Sequence, residues 1–143
     1  METIEAARAY AAQFETLTPQ AVADLAASFR PDVRFCDPFN DVVGRQKMAR
    51  VFEHMFETLV EPRFSVSDIA TSGRTAYLRW AFTFRLKAGG RQHRIEGLSE
   101  VTFDAFGKVA QHIDHWDAAG QVYAKLPLLG GLLRLIQARL RAR

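Results

Sequence analysis

A single cysteine, Cys36, leaves this chain without an internal disulfide to form, which fits a reducing cytoplasm and excludes a stapled secreted scaffold. No apolar run approaches the length of a membrane span, and the opening METIEAARAYAAQF lacks the basic start and apolar stretch of a secretory signal. Basic residues are not spread over the chain. Residues 128–143 hold Arg134, Arg139, Arg141 and Arg143 and no acid, so the formal charge of +3 belongs to the tail and the remainder is slightly acidic. That distribution argues against a nucleic-acid-binding face, which needs Lys and Arg across a surface with aromatics interleaved. Also missing are a phosphate-binding glycine loop, a dinucleotide fingerprint, a Ser-His-Asp constellation, an internal repeat and any low-complexity linker. What remains is one globular domain, expected in the cytoplasm, of 143 residues with 48% hydrophobic side chains, enough to bury a sizeable core.

The first half reads as helical. Over 3–16, Ile4, Ala7, Tyr10, Ala11 and Phe14 recur at three- and four-residue intervals and define one buried side. Thr18 followed by Pro19 is an N-cap with proline at the first helical position, opening a second helix through Val22, Leu25, Ala26 and Phe29 that Pro31 ends. A short strand is predicted over 33–37 and a loop over 38–44. From Arg45 a third helix sets Met48, Val51, Phe52, Met55, Phe56 and Leu59 on a broad apolar side until Pro62.

The second half alternates. Strands are predicted near 63–71, 74–87, 92–104 and 107–116, separated by Ser72-Gly73, Gly89-Gly90 and the segment 105–107. Leu78, Trp80, Phe82, Phe84 and Leu86 share one face of the second of these, and the three helices are the available cover. This is an α+β pattern. After Asp117, a helix cap, the chain passes Pro127 and ends in LLGGLLRLIQARLRAR, an amphipathic basic helix with Leu129, Leu132, Leu133, Ile136 and Leu140 on one side. Its expected role is packing on the domain or on a second subunit rather than on a membrane surface. The domain proper is taken as 1–127 and the terminal helix as 128–143.

The stretch GKVAQHIDHWD carries the chemistry. Alternation places Ala110, His112, Asp114 and Trp116 on one face and Val109, Gln111, Ile113 and His115 on the other. Both faces have apolar members, so His112 and Asp114 point into an enclosed space, where loss of water would raise a carboxyl's pKa and ready it for proton transfer. Asp114 is the candidate general acid or base, against a purely structural carboxylate. His112 is its candidate partner, against a satisfied buried imidazole. Asp37, on one side with Val33 and Phe35, is either a second pocket carboxylate or a turn former bonded to backbone amides ahead of it. No metal site is expected, because alternation separates His115 and Asp117 from His112 and Asp114.

With VRFCDPFNDVVGRQKMARVFEHMF followed by four strands ending in GKVAQHIDHWD and then LPL, the chain resembles the nuclear transport factor 2-like superfamily, in its SnoaL-like, polyketide cyclase-like branch. The resemblance implies a cone-shaped curved antiparallel sheet wrapped around helices (a cystatin-like roll), a cavity for a small apolar molecule, a homodimer through the outer sheet face and chemistry without a cofactor. In that cone, Tyr10, Phe14, Phe52, Phe56, Trp80, Phe82, Ser99 and Trp116 are the expected substrate-binding residues; otherwise the aromatics among them are core.

By the same resemblance Asp37 stands where ketosteroid isomerases keep their base, while Ser99 replaces their oxyanion-stabilising acid and Gln13 their phenol, with Tyr10 one turn earlier. Asp114 stands where SnoaL-like cyclases and limonene epoxide hydrolases keep an aspartate. The hydrolases' Arg-x-Asp pair is replaced by Trp80 and Phe82. A cyclase, isomerase or hydrolase is therefore implied, with a non-catalytic binding protein and a dimerisation module as alternatives.

Overall fold

The computed structural model describes residues 2–122 and 127–140. Helix α1 (Thr3–Glu15) buries Ala6, Ala7, Tyr10, Ala11 and Phe14, the side that its periodicity marks. A 3₁₀ turn (Pro19–Ala21) leads into the short α2 (Val22–Ala26), and Thr18 caps the pair by accepting from the Ala21 N–H at 3.2 Å. Thr18→Ala is expected to cost about 1 kcal/mol, the usual loss for a removed N-cap, measurable by urea denaturation.

Three boundaries depart from the sequence reading, and each involves backbone that only tertiary pairing can explain. The second helix stops at Ala26, and Phe29 opens strand β1 (Phe29–Cys36) with Pro31 inside it. Proline disfavours helix in the residue before it and cannot donate to a ladder, and the register shift between Phe29 and Arg34 is where β1 accommodates it. The segment 41–43, read as loop, is strand β2 (Asp41–Val43), an antiparallel hairpin partner of β1. Helix α3 (Arg45–Thr58) ends four residues before Pro62, which lies instead in the edge strand β3 (Val60–Ser72) at a second register shift.

Gly44 is where β2 becomes α3. Its φ of 115° is closed to ordinary side chains, its N–H donates to Val33 O at 2.8 Å, and the following Arg45 guanidinium donates to Phe29 O. The Gly-Arg pair thereby ties the start of α3 to β1.

Strands β3, β4 (Thr75–Arg85), β5 (Gln92–Phe103) and β6 (Val109–His115) follow as antiparallel neighbours, and β1 joins β6. The order is β2-β1-β6-β5-β4-β3, antiparallel throughout except for the parallel pair β1 and β6. The curved, unclosed sheet carries α1, α2 and α3 on its inner side, where Phe29, Val33, Phe35, Leu25, Met48, Val101 and Val109 are fully buried around Tyr10.

Helix α4 (Ala118–Gln121) is capped by Asp117, which accepts from the Gly120 N–H at 2.8 Å. Helix α5 (Pro127–Leu140) forms where the terminal amphipathic pattern predicts it, and its Leu132, Leu135, Ile136 and Leu140 are all exposed. The side chains of Leu129 and Leu133, assigned to the same apolar side, lie outside the described residues, as do residues 123–126 and 141–143. Among the described residues no helix is long and apolar enough to cross a membrane.

Candidate functional site

Strand β6 does not alternate cleanly. Thr102 faces Gln111 but Phe103 faces Val109, so two steps on β6 oppose one on β5 and Ala110 is the extra residue of a bulge. Val109 is consequently turned inward on the same side as His112, with 0% and 3% exposure, rather than onto the opposite face as simple alternation would have it. Beyond the bulge, His112 and Asp114 do share the inner face.

There they join a hydrogen-bonded chain drawn from four elements. The Tyr10 hydroxyl, on α1, lies 2.8 Å from His112 Nδ1, and His112 Nε2 lies 2.7 Å from Asp114 Oδ1. From the other side the Trp80 indole N–H, on β4, donates to Ser99 Oγ at 2.8 Å, which leaves the Ser99 hydroxyl hydrogen for Asp114 Oδ1 at 2.5 Å. Asp114 faces Ser99 across the β5–β6 ladder, so the contact is set by register.

The proton positions follow from the donor inventory. Burial, and after it the charge of Asp114, push the Tyr10 phenol well above its ordinary pKa, so it keeps its proton and must donate. His112 Nδ1 is then the acceptor, which leaves its hydrogen on Nε2 to donate to Asp114. The chain is consistent as neutral Tyr10, neutral His112 and ionised Asp114. Both donors converge on Oδ1, and Oδ2 accepts no hydrogen bond from the described residues. Tyr10→Phe is expected to cost about 1–2 kcal/mol by stranding a buried ring nitrogen. The Nε2–H bond to Asp114 is untouched, so His112 should keep its Nε2–H tautomer, visible in its ¹⁵N shifts; a switch to the Nδ1–H form would contradict this assignment.

Asp114, with its side chain 18% exposed, lies at the junction of two spaces. Beneath it is a void of about 30 Å³, room for roughly one water, lined by Tyr10, Phe14, Ser99 and His112 among others. Above it opens a cavity of about 720 Å³ whose walls include Phe52, Trp80, Phe82 and Trp116. All of the expected substrate-binding residues but one therefore border one of the two spaces. The exception is Phe56, which sits with Leu17 and Pro62 in a separate crevice. The cavity side of α3 runs through Lys47, Arg50, Val51, His54 and Met55, and Phe56 lies one helical step past its edge.

Asp37 borders the cavity, but its carboxylate is occupied. Oδ1 accepts from the Phe39 N–H at 2.8 Å and the Asn40 N–H at 2.7 Å, and the Asn40 side-chain amide reaches both oxygens at 3.1 and 3.2 Å. These are the bonds of the turn-forming alternative. Gln13 takes no part in the site; its Oε1 accepts from the Ser28 hydroxyl. His115 is exposed on the outer face beside Glu100.

Sequence reasoning missed Phe35, Met55, Phe64, Phe84 and Ile95 as cavity walls, and Lys47, Arg50 and His54 at its mouth. The signal for the last three was present: spacings of three and four put them on one helical face beside the apolar stripe. Among the described residues, no three His, Cys, Asp or Glu side chains are grouped to hold a metal ion.

The model of the SnoaL-like domain family matches residues 7–112, stopping two residues short of Asp114. No curated protein matches the sequence. Solved structures do match in shape. A nuclear transport factor 2-like protein of unknown function from Burkholderia pseudomallei superposes with a TM-score of 0.72 at 18% identity, covering 85% of this chain and 96% of that one. A Shewanella denitrificans protein carrying the name of a SnoaL-like polyketide cyclase gives 0.68 at 15%, covering 86% and 98%. An LEH-like epoxide hydrolase of M. tuberculosis also gives 0.68 at 15%, covering 98% and 96%. At these identities the likeness is one of fold.

Proposed function

Because the chain belongs to the SnoaL-like domain family, we propose that its cavity binds a small apolar molecule and that Asp114 moves a proton on it without a cofactor. One observation carries the reading: a carboxylate bordering an aromatic-walled cavity of about 720 Å³, with one oxygen held by His112 and Ser99 and the other accepting no hydrogen bond from the described residues, in a space within the ~300–1,000 Å³ range of small-molecule sites. In this proposal Oδ2 takes a proton from an activated C–H, and the electron pair left on carbon delocalises into an adjacent carbonyl as an enolate. The proton returns to another carbon in an isomerisation, or the enolate carbon attacks a second carbonyl carbon of the same molecule in a ring closure, the C=O π pair moving onto oxygen, which takes the proton back from Asp114. His112 and Ser99 fix the carboxylate's orientation, with Tyr10 and Trp80 behind them.

The donor arrangement favours the cyclase-like end of this range. Ser99, standing in place of an oxyanion-stabilising acid, spends its hydrogen on Asp114, and the Trp80 N–H and Tyr10 O–H are likewise engaged. With those groups committed, the reaction must rely on a substrate whose own conjugation spreads the charge. A second reading, binding without turnover, draws on the same two bonds to Oδ1, which equally suit a carboxylate that only holds the inner chain together.

The experiment is deuterium uptake from D₂O by 2-tetralone, a bicyclic ketone whose C1 hydrogens are acidified by carbonyl and ring together. Proton NMR should show exchange faster than in buffer alone. Exchange no faster than buffer, with binding still detectable by tryptophan fluorescence, would favour the second reading.

A further inference from the structure

We propose that the cavity's ligand carries an acidic group, a carboxylate or its equivalent, and that Lys47 holds this group at the mouth while the apolar body extends toward Asp114. The inference rests on the cavity reading above and narrows its substrate class.

The mouth is cationic on one side. Lys47, Arg50 and His54 border the cavity from α3, but the Arg50 charge is already matched. The Arg50 guanidinium donates to both Glu57 oxygens at 2.7 and 3.0 Å and lies 3.5 Å from Glu53, and His54 stands 3.9 Å from Glu57. Lys47 makes no ion pair or side-chain hydrogen bond with the described residues. It is thus the cation at the mouth whose charge is unmatched.

The acids bordering the same cavity, Asp37 and Asp114, determine where an anionic group can go. Asp114 occupies the floor as a carboxylate, so a second negative charge there would meet repulsion in a poorly solvated space. Asp37 is likewise a carboxylate, its oxygens already held in the turn by three neutral donor groups, and it offers an anionic group no partner. An acidic ligand is therefore favoured in one orientation, with its charge outward at Lys47. The lysine's aliphatic stem can lie along the apolar wall with the ammonium in water, so the contact does not require burying a charge. The same orientation presents the far end of the ligand to the carboxylate proposed to react with it.

The test compares 2-naphthylacetic acid with its primary amide, which has the same shape and no charge. Both tryptophans of the chain, Trp80 and Trp116, border the cavity, so quenching of their emission reports occupancy of this space. At low salt the acid should bind about fivefold more tightly than the amide, the upper range for a largely exposed ion pair, and the gap should close as salt is added. Lys47→Gln should bring the acid down to the amide's affinity and leave the amide where it was. Equal affinities in the unmodified protein would overturn the inference while leaving the cavity reading intact. So would a gap that survives Lys47→Gln, or one that only Arg50→Gln removes. Failure of both compounds to quench would overturn the inference together with the cavity reading.

Discussion

Asp114→Asn is expected to slow deuterium uptake by 2-tetralone about 10²- to 10⁴-fold, the range that a positioned general base supplies. The substitution is nearly isosteric. An asparagine carbonyl at the Oδ1 position can still accept from His112 and Ser99, so the inner chain, the cavity walls and the affinity for the ketone should survive. What is lost is the oxygen proposed to accept the proton, because a carboxamide does not take up a proton near neutral pH. A binding curve that stays put while exchange collapses is the expected pair of results. Exchange within twofold of the unmodified protein would remove Asp114 from the chemistry, and parallel losses of binding and exchange would mark it as structural.

Gly97→Val is expected to destabilise the protein by about 3 kcal/mol, at the upper end of overpacking effects, and to break the Trp80 to Ser99 bond. Gly97 is the cross-strand partner of Trp80, and the indole lies over it to reach Ser99 two residues further along β5. A Cβ at Gly97 would stand 2.6 and 2.7 Å from two indole carbons and 2.9 Å from the His115 carbonyl oxygen. The indole must therefore move, and its N–H leaves Ser99. Urea denaturation reads the stability, and combining the change with Trp80→Leu should give a loss smaller than the sum of the two single changes. Additive losses would show that the indole is not what the valine meets.

Much of this architecture is legible in local pattern, and its limits fall at particular residues. The face shared by Leu78, Trp80, Phe82 and Phe84 is plain from alternation, because β4 runs through the sheet without a bulge against β5. The buried side of α1 is equally plain. Pro31 and Pro62 mislead, since a proline that stops a helix and one that sits at a register shift look alike in sequence. The bulge at Ala110 has no local marker, so Val109 is assigned to the wrong face while His112 and Asp114, beyond it, are placed correctly. The aspartate and its histidine are thus readable from one strand. Tyr10, Ser99 and Trp80 enter the chain only through pairing between distant segments, which a single sequence does not display. Asp37 illustrates the opposite case: its two roles were both visible, and the loop geometry matches the turn.

The parallel pairing of β1 with β6 has a consequence for synthesis on the ribosome. Phe29 and Phe35, early in the chain, have their sheet partners in Val109 and His112, and Tyr10 waits for a bond 102 residues downstream. At ~5–20 residues per second, roughly 5–20 s separate the emergence of those ends. During that interval the nascent chain exposes greasy segments with no mate, which makes it a customer for holding chaperones and slow to complete. The hydrogen-bonded chain from Tyr10 to Asp114 can accordingly close only after β6 has emerged: no product truncated before Asp114 can assemble it, however much of the helical half has formed.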